Sequence, residues 1–176
     1  ILNAVIGIPE TNIFDVDPEY LDDLIKVNII SQIYLATQHL KLVQQYNIFG
    51  TSIIFISSNA GIYPRSKFPL YSMTKNAMTY YLEILSKEFI KHKTRINIVA
   101  PGSIKTNMTD NAISNFSKEN NVSEKDAELQ LYSHINSMKR MGIAKEVSEL
   151  VQFLASDKAS FINGEIIKVN GGYYFE

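Results

Sequence analysis

Apolar residues fall into two alternating patterns along this chain. Short, mainly apolar runs occur at Ile1–Gly7, Ile53–Ile56, Ile96–Ala100 and Ile166–Val169. They are too brief for helices and end in Gly, Ser, Pro or Asn, so they predict buried strands over 1–7, 52–56, 95–100 and 164–169. Between them, apolar residues recur three and four apart. One stripe follows the helix start Asp17-Pro18-Glu19 and runs through Leu21, Leu24, Ile25, Asn28, Leu35, Ala36, Leu40 and Val43. There aspartate caps, proline takes the first helical position and glutamate faces the positive end of the helix. A second stripe runs through Tyr71, Lys75, Met78, Leu82, Leu85 and Phe89, and a third spans Lys145 to Ala155. Strands alternating with long amphipathic helices predict an α/β fold with a parallel sheet, in which ligands sit at the carboxyl ends of the strands. Residues 107–138, rich in Asn, Ser, Lys and Glu, carry weak periodicity and predict short helical pieces forming a mobile lid, a place for substrate selection.

The chain has 176 residues, a net charge of −1, 45% hydrophobic and 20% charged residues, which suits a single domain, 1–176, with a sizeable core. The near-neutral charge argues against nucleic acid or an anionic membrane as partner. With no cysteine there is no thiolate metal site and no cysteine nucleophile, and a reducing, cytoplasmic setting is expected. No apolar run approaches membrane-spanning length and no signal peptide is expected. His134 stands without a second ligand nearby, so no metal and no catalytic role is assigned to it.

Candidate chemistry gathers after the 52–56 strand. Residues four apart on a helix share a face, so Tyr71 and Lys75 should point the same way. If Ser58 lies across the loop, three polar tips converge. Tyr63 and Lys67 have the same spacing, but Pro64 follows directly and no apolar stripe supports a helix there, so that pair is loop. Asn28 interrupts an apolar stripe, and a buried amide must find hydrogen-bond partners.

Ile56-Ser57-Ser58-Asn59-Ala60-Gly61, Tyr71-Ser72-Met73-Thr74-Lys75 and Pro101-Gly102-Ser103-Ile104-Lys105-Thr106 together resemble the short-chain dehydrogenase/reductase family. Its members carry Ser, Tyr-x-x-x-Lys and Pro-Gly-x-Ile-x-Thr in this order. The resemblance extends to Met138–Gly142, which is similar to the turn before the family's last helix, and to Gly171-Gly172. It implies a Rossmann-like doubly wound parallel sheet, here of about four strands. It implies an NAD(P)-dependent oxidoreductase interconverting a carbonyl and a secondary alcohol, with NAD or NADP left open. Asn28, Ser58, Tyr71 and Lys75 would be the catalytic set, Asn28 holding a water beside the lysine. Lys75 would also hold the nicotinamide ribose. Pro101, Gly102, Ile104 and Thr106 would line the cofactor, with the Ile104 backbone at the carboxamide and Thr106 near the phosphates. Asn3 would be a cofactor-side residue, although Val5 stands where the family has the glycine of Asn-Ala-Gly, and an ordinary strand-end asparagine is the alternative. The partners implied are a small carbonyl or alcohol substrate and further copies of the chain, as a homodimer or homotetramer. The helices from Pro18 and Tyr71 and the last strand would form the contacts, with Tyr173-Tyr174-Phe175 buried among them.

In this scheme Tyr71 donates a proton to the carbonyl oxygen and Ser58 hydrogen-bonds the same oxygen. In the oxidative direction Tyr71 must be a phenolate. Lowering a phenol from about 10 to about 7 takes roughly 4 kcal/mol. A lysine charge about 4–5 Å away supplies roughly 3–4 kcal/mol at an effective dielectric of about 20.

The eight glycines include no G-x-G-x-x-G, the turn that places a pyrophosphate on a helix N-terminus. Relative to the family the chain lacks the first three strands and their helices, on the order of 60–90 residues, so an N-terminally truncated sheet with an exposed edge at 1–6 is expected. A catalytically inactive remnant serving as an interaction or oligomerisation module is the alternative function.

Overall fold

The structure, a computed structural model, describes residues 1–6, 15–132 and 136–173. In chain order it comprises α1 (Pro18–Ile25), a π-helical turn (Lys26–Ile30), α2 (Ser31–Gln45), β1 (Ser52–Ile56), α3 (Pro69–Glu88), β2 (Arg95–Pro101), β3 (Ile104–Lys105), α4 (Asn107–Asn120), α5 (Glu124–Leu131), β4 (Gly142–Ile143), α6 (Ala144–Ala155) and β5 (Ile166–Val169). A 3-10 turn, Asn59–Gly61, follows β1.

The main sheet is open and parallel, in the order β1-β2-β5, and β3 and β4 form a separate short parallel pair. Its strands read as mainly apolar runs rather than strict alternations because both faces are covered. Ile53, Phe55, Ile96 and Ile98 point to one face and pack with Ala36 and Leu40 of α2 and Met78 and Leu82 of α3. Ile54 and Val99 point to the other, against Leu154 and Val151 of α6. A satellite cluster of Ile113, Ala127 and Met141, with Phe116 and Leu131 against it, holds α4 and α5 together. The expected helical pieces of 107–138 are therefore two helices of 14 and 8 residues.

Three expectations are corrected. The strand over 1–7 reduces to a bridge: Leu2 donates to the Ile54 carbonyl at 2.8 Å and accepts from Ile56 N at 2.9 Å, parallel to Phe55. Beyond it the backbone turns to side-chain partners on the neighbouring helix; Gly7 lies outside the described residues. The helix expected from Tyr71 starts at Pro69, two residues earlier, because proline is suited to the first helical position. The helix from Pro18 is not regular. At Lys26–Ile30 the Ser31 amide reaches back to the Lys26 carbonyl, and the Ser31 hydroxyl takes the Val27 carbonyl at 2.7 Å instead. The wider turn shifts the helix phase. Asn28, Gln32, Ala36, Leu40 and Val43 face inward, while Leu35, assigned to the buried stripe, is 51% exposed.

Arg95 ties α6 to the sheet. Its buried guanidinium donates to the Leu154 carbonyl at 2.8 Å and the Ser156 carbonyl at 3.2 Å, at the carboxyl end of α6, where a cation is favoured. In Arg95→Met, Leu154 keeps only the Ser52 hydroxyl, at 3.2 Å. A loss of about 2–3 kcal/mol is expected, read as a lower urea midpoint at unchanged slope.

Candidate active site

Past the end of β1, Ser57 N continues the ladder to the Val99 carbonyl at 2.8 Å, and its hydroxyl meets that of Thr79 on α3 at 2.7 Å. Ser58 then adopts an extended backbone and its hydroxyl accepts from Ala60 N at 3.1 Å, capping the Asn59–Gly61 turn. That turn lies directly on α3. A Cβ on Gly61 would come within 2.8 Å of Ser57 Oγ and 2.9 Å of Lys75 Cβ, so glycine is what permits the approach. Asn76 Nδ2 closes it by donating to the Gly61 carbonyl at 2.9 Å.

This brings Ser58 beside the first turn of α3, near enough for its hydroxyl to act on the Tyr71 phenol. Lys75 is one turn on and buried, as are Met78 and Leu82. Its Nζ donates to the Ile56 carbonyl at 2.8 Å and sits 5.0 Å from the Phe55 ring centroid and 5.8 Å from that of Tyr71. Burial raises the Tyr71 phenol above its ordinary value, and the Ser58 hydroxyl works against that rise. Burial also pushes Lys75 down to about 8. The expected lowering of Tyr71 by a lysine charge is thus not what this geometry delivers. The amine is directed at the Ile56 carbonyl, and desolvation acts on both groups. A neutral, protonated phenol is the resting form.

Asn28 sits in the π-helical turn, with one hydrogen bond at each end of its side-chain amide. Its Oδ1 accepts from Ile6 N at 2.9 Å and its Nδ2 donates to Thr74 Oγ1 at 3.2 Å. One turn on, the buried Gln32 donates through Nε2 to the Ala4 carbonyl at 3.0 Å. Two amides on one helix thereby grip the chain on either side of Val5. Sequence reading missed Gln32 and Thr74; a polar residue four places from Asn28 was the available signal. Asn3 is exposed.

Pro101 and Gly102 close β2. Gly102 N donates to the Val169 carbonyl at 2.9 Å, and a Cβ on Gly102 would lie 2.9 Å from Asn170 Cα. Ile104 pairs with Gly142. Thr106 is exposed and caps α4, exchanging hydrogen bonds with Thr109. Behind this loop a cavity of about 280 Å³ is lined by Ser103, Ile104, Asn136, Arg140, Lys168 and Asn170 among others, and not by Ser58, Tyr71 or Lys75.

The competing pair is indeed in a loop, and Tyr63 has another task. Its ring stacks on Tyr173 at 5.7 Å, its hydroxyl accepts from Lys168 Nζ at 3.0 Å, and Arg65 lies 4.6 Å above Tyr173. The ladder fastens the loop after Ser58 to the chain beyond β5. Among the described residues no three His, Cys, Asp or Glu side chains could share a metal, and no helix is long and apolar enough to cross a membrane. His134, Tyr174 and Phe175 lie outside the described residues.

Comparison with known proteins gives a family model described as enoyl-(acyl carrier protein) reductase over residues 1–174. Tropinone reductase-like 3 of Erythroxylum coca is 30% identical over 93% of this chain and 58% of its own length. A solved structure of a short chain dehydrogenase family protein from Francisella tularensis superposes with a TM-score of 0.87 at 30% identity, covering 97% of this chain and 68% of that one. The NADP-bound structure of ElxO does so with a TM-score of 0.83 at 27% identity, covering 97% and 64%. This chain spans less than two thirds of the length of the curated relatives that it matches.

Proposed function

The chain belongs to the short-chain dehydrogenase/reductase family, and from that premise we propose that it carries the catalytic half of an NAD(P)-dependent oxidoreductase interconverting a carbonyl and a secondary alcohol. The observation that carries the reading is the placing of Ser58, just past the carboxyl end of β1, on a turn packed against α3, which bears Tyr71 in its first turn and the buried Lys75 one helical turn on. Tyr71, held neutral by burial, is the proton donor to a carbonyl oxygen, and Ser58 orients that oxygen and steadies its developing charge. The protonated phenol is the form that reduction uses, whereas oxidation requires it first to give up its proton. Lys75 is a reservoir for returning the proton, since an amine near 8 exchanges protons readily around neutral pH.

The nicotinamide cofactor, when bound, supplies the hydride. Its ribose end fits these residues, because the Lys75 amine has N–H donors beyond the one given to Ile56 and the Tyr71 hydroxyl stands on the same helix face. Pro101, Gly102 and Ile104 are the positions assigned beside the nicotinamide, with Thr106 towards the phosphates and Asn3 on the cofactor side. For the pyrophosphate the sequence has no glycine-rich turn. Asn28 contributes by holding the chain at Ile6. Residues 107–138 are the lid that selects the substrate. Apolar side chains exposed on α2 (Tyr34, Leu35, Leu42) and α3 (Tyr80, Ile84) support association into a homodimer or homotetramer.

Titration of this chain with NADH and NADPH, followed by nicotinamide fluorescence beside size-exclusion chromatography, tests the reading. Saturable binding by a discrete oligomer is expected. A soluble oligomer that binds neither nucleotide would replace it with the interaction-module reading.

A further inference from the structure

One hydroxyl joins the Asn28 amide to the first turn of α3. Thr74 is fully buried between Tyr71 and Lys75, and its hydroxyl donates to the Tyr71 carbonyl at 2.9 Å. A hydroxyl has a single proton, so towards Asn28 its oxygen can only accept, and Asn28 Nδ2 stands there at 3.2 Å. The other end of that amide must then be Oδ1, and it meets the Ile6 N–H at 2.9 Å. We propose that Thr74 is a positioning residue: by committing its proton to Tyr71 it sets which way the Asn28 amide faces, and so clamps the Ala4–Ile6 segment to the helix bearing Tyr71 and Lys75.

The reasoning is one of polarity. With the Asn28 amide turned over, NH2 would face the Ile6 N–H, donor against donor, in a buried place. Thr74 makes that orientation unfavourable at both ends. Gln32, gripping the Ala4 carbonyl at 3.0 Å, fixes the same segment but is indifferent to the Asn28 orientation. The consequence for catalysis rests on the oxidoreductase reading: the clamped segment follows Asn3, so its position sets cofactor affinity relative to the proton donor.

Site-resolved amide hydrogen exchange on the chain without cofactor reads the clamp directly. Thr74→Val keeps the shape and removes the hydroxyl. The Ile6 amide is then expected to exchange about tenfold faster or more, while the Ile98 amide of β2 keeps its parental rate. Thr74→Ser is expected to restore Ile6 protection. An unchanged Ile6 rate in Thr74→Val overturns the proposal, as does acceleration of Ile6 and Ile98 together, or equal acceleration in Thr74→Ser. If Thr74→Val does not fold, Asn28→Asp carries the test. A carboxylate offers Ile6 an acceptor in either orientation, so protection persists, and its loss overturns the proposal. NADH and NADPH titrations of the parent separate the two readings: no binding removes the oxidoreductase and leaves the exchange result standing.

Discussion

Tyr71→Phe is expected to lower turnover of a carbonyl substrate by about two to four orders of magnitude while leaving cofactor affinity within about twofold. The substitution removes one oxygen and one proton and leaves a ring of the same shape in the first turn of α3. Ser58 keeps its bond from Ala60 N and Lys75 keeps the Ile56 carbonyl, so the frame around the missing hydroxyl persists. The loss should appear in kcat, because the interaction removed is one that strengthens in the transition state. Parental kcat in the variant, measured with the same carbonyl substrate, would remove Tyr71 from the mechanism. A cofactor affinity that collapses along with kcat would instead assign the hydroxyl to binding.

Lys75→Met should separate activity from stability in opposite senses. Lysine's ordinary value is 10.5 and burial takes it to about 8, which corresponds to roughly 3 kcal/mol against the charged form. The folded state therefore binds fewer protons than the unfolded chain between about pH 8 and 10.5. Stability gained from this group rises with pH across that window, and the full penalty applies below it. Methionine carries no such penalty, but it leaves the Ile56 carbonyl without its 2.8 Å donor, a loss of about 1–3 kcal/mol. Near pH 7 the two effects offset, and Lys75→Met should match or exceed the parent in urea stability. At pH 10.5 the parent should have overtaken it by roughly 3 kcal/mol relative to that starting point. Turnover should fall by about two orders of magnitude or more at both ends. A stability difference that stays flat from pH 7 to 10.5 would show that the amine is not desolvated.

The parts of the site within one supersecondary unit were legible in the sequence. Ser58, Tyr71 and Lys75 sit at a strand end and on the first turns of the next helix, where spacing alone fixes direction. The buried strands of the sheet were equally plain, because a run such as Ile53–Ile56 has few other uses. What escaped reading was long-range or a matter of backbone geometry. The π-helical turn at Lys26–Ile30 has no residue signature, and by shifting phase it turned Leu35 outward and Gln32 inward. Thr74 carried no signal of its own, since its partner Asn28 is 46 residues away. The lysine's acidity depends on how completely Phe55, Ile56 and α3 enclose it, which no spacing records. The strand over 1–7 was overextended because an apolar run does not say whether the neighbouring helix will claim its backbone.

The parallel order β1-β2-β5 also bears on how the site comes into being. The contact between Lys75 and the Ile56 carbonyl closes a loop of 19 residues, whereas docking of β5 on β2 joins residues 68 apart and the Asn28–Thr74 link spans 46. Loop-closure entropy grows with length, so contacts close in sequence are favoured first along a folding pathway. Ser58, Tyr71 and Lys75 can thus assemble with the β1–α3–β2 unit alone. The clamp on Ile6 and the floor supplied by β5 arrive afterwards, on elements that Ser58, Tyr71 and Lys75 have no need to wait for.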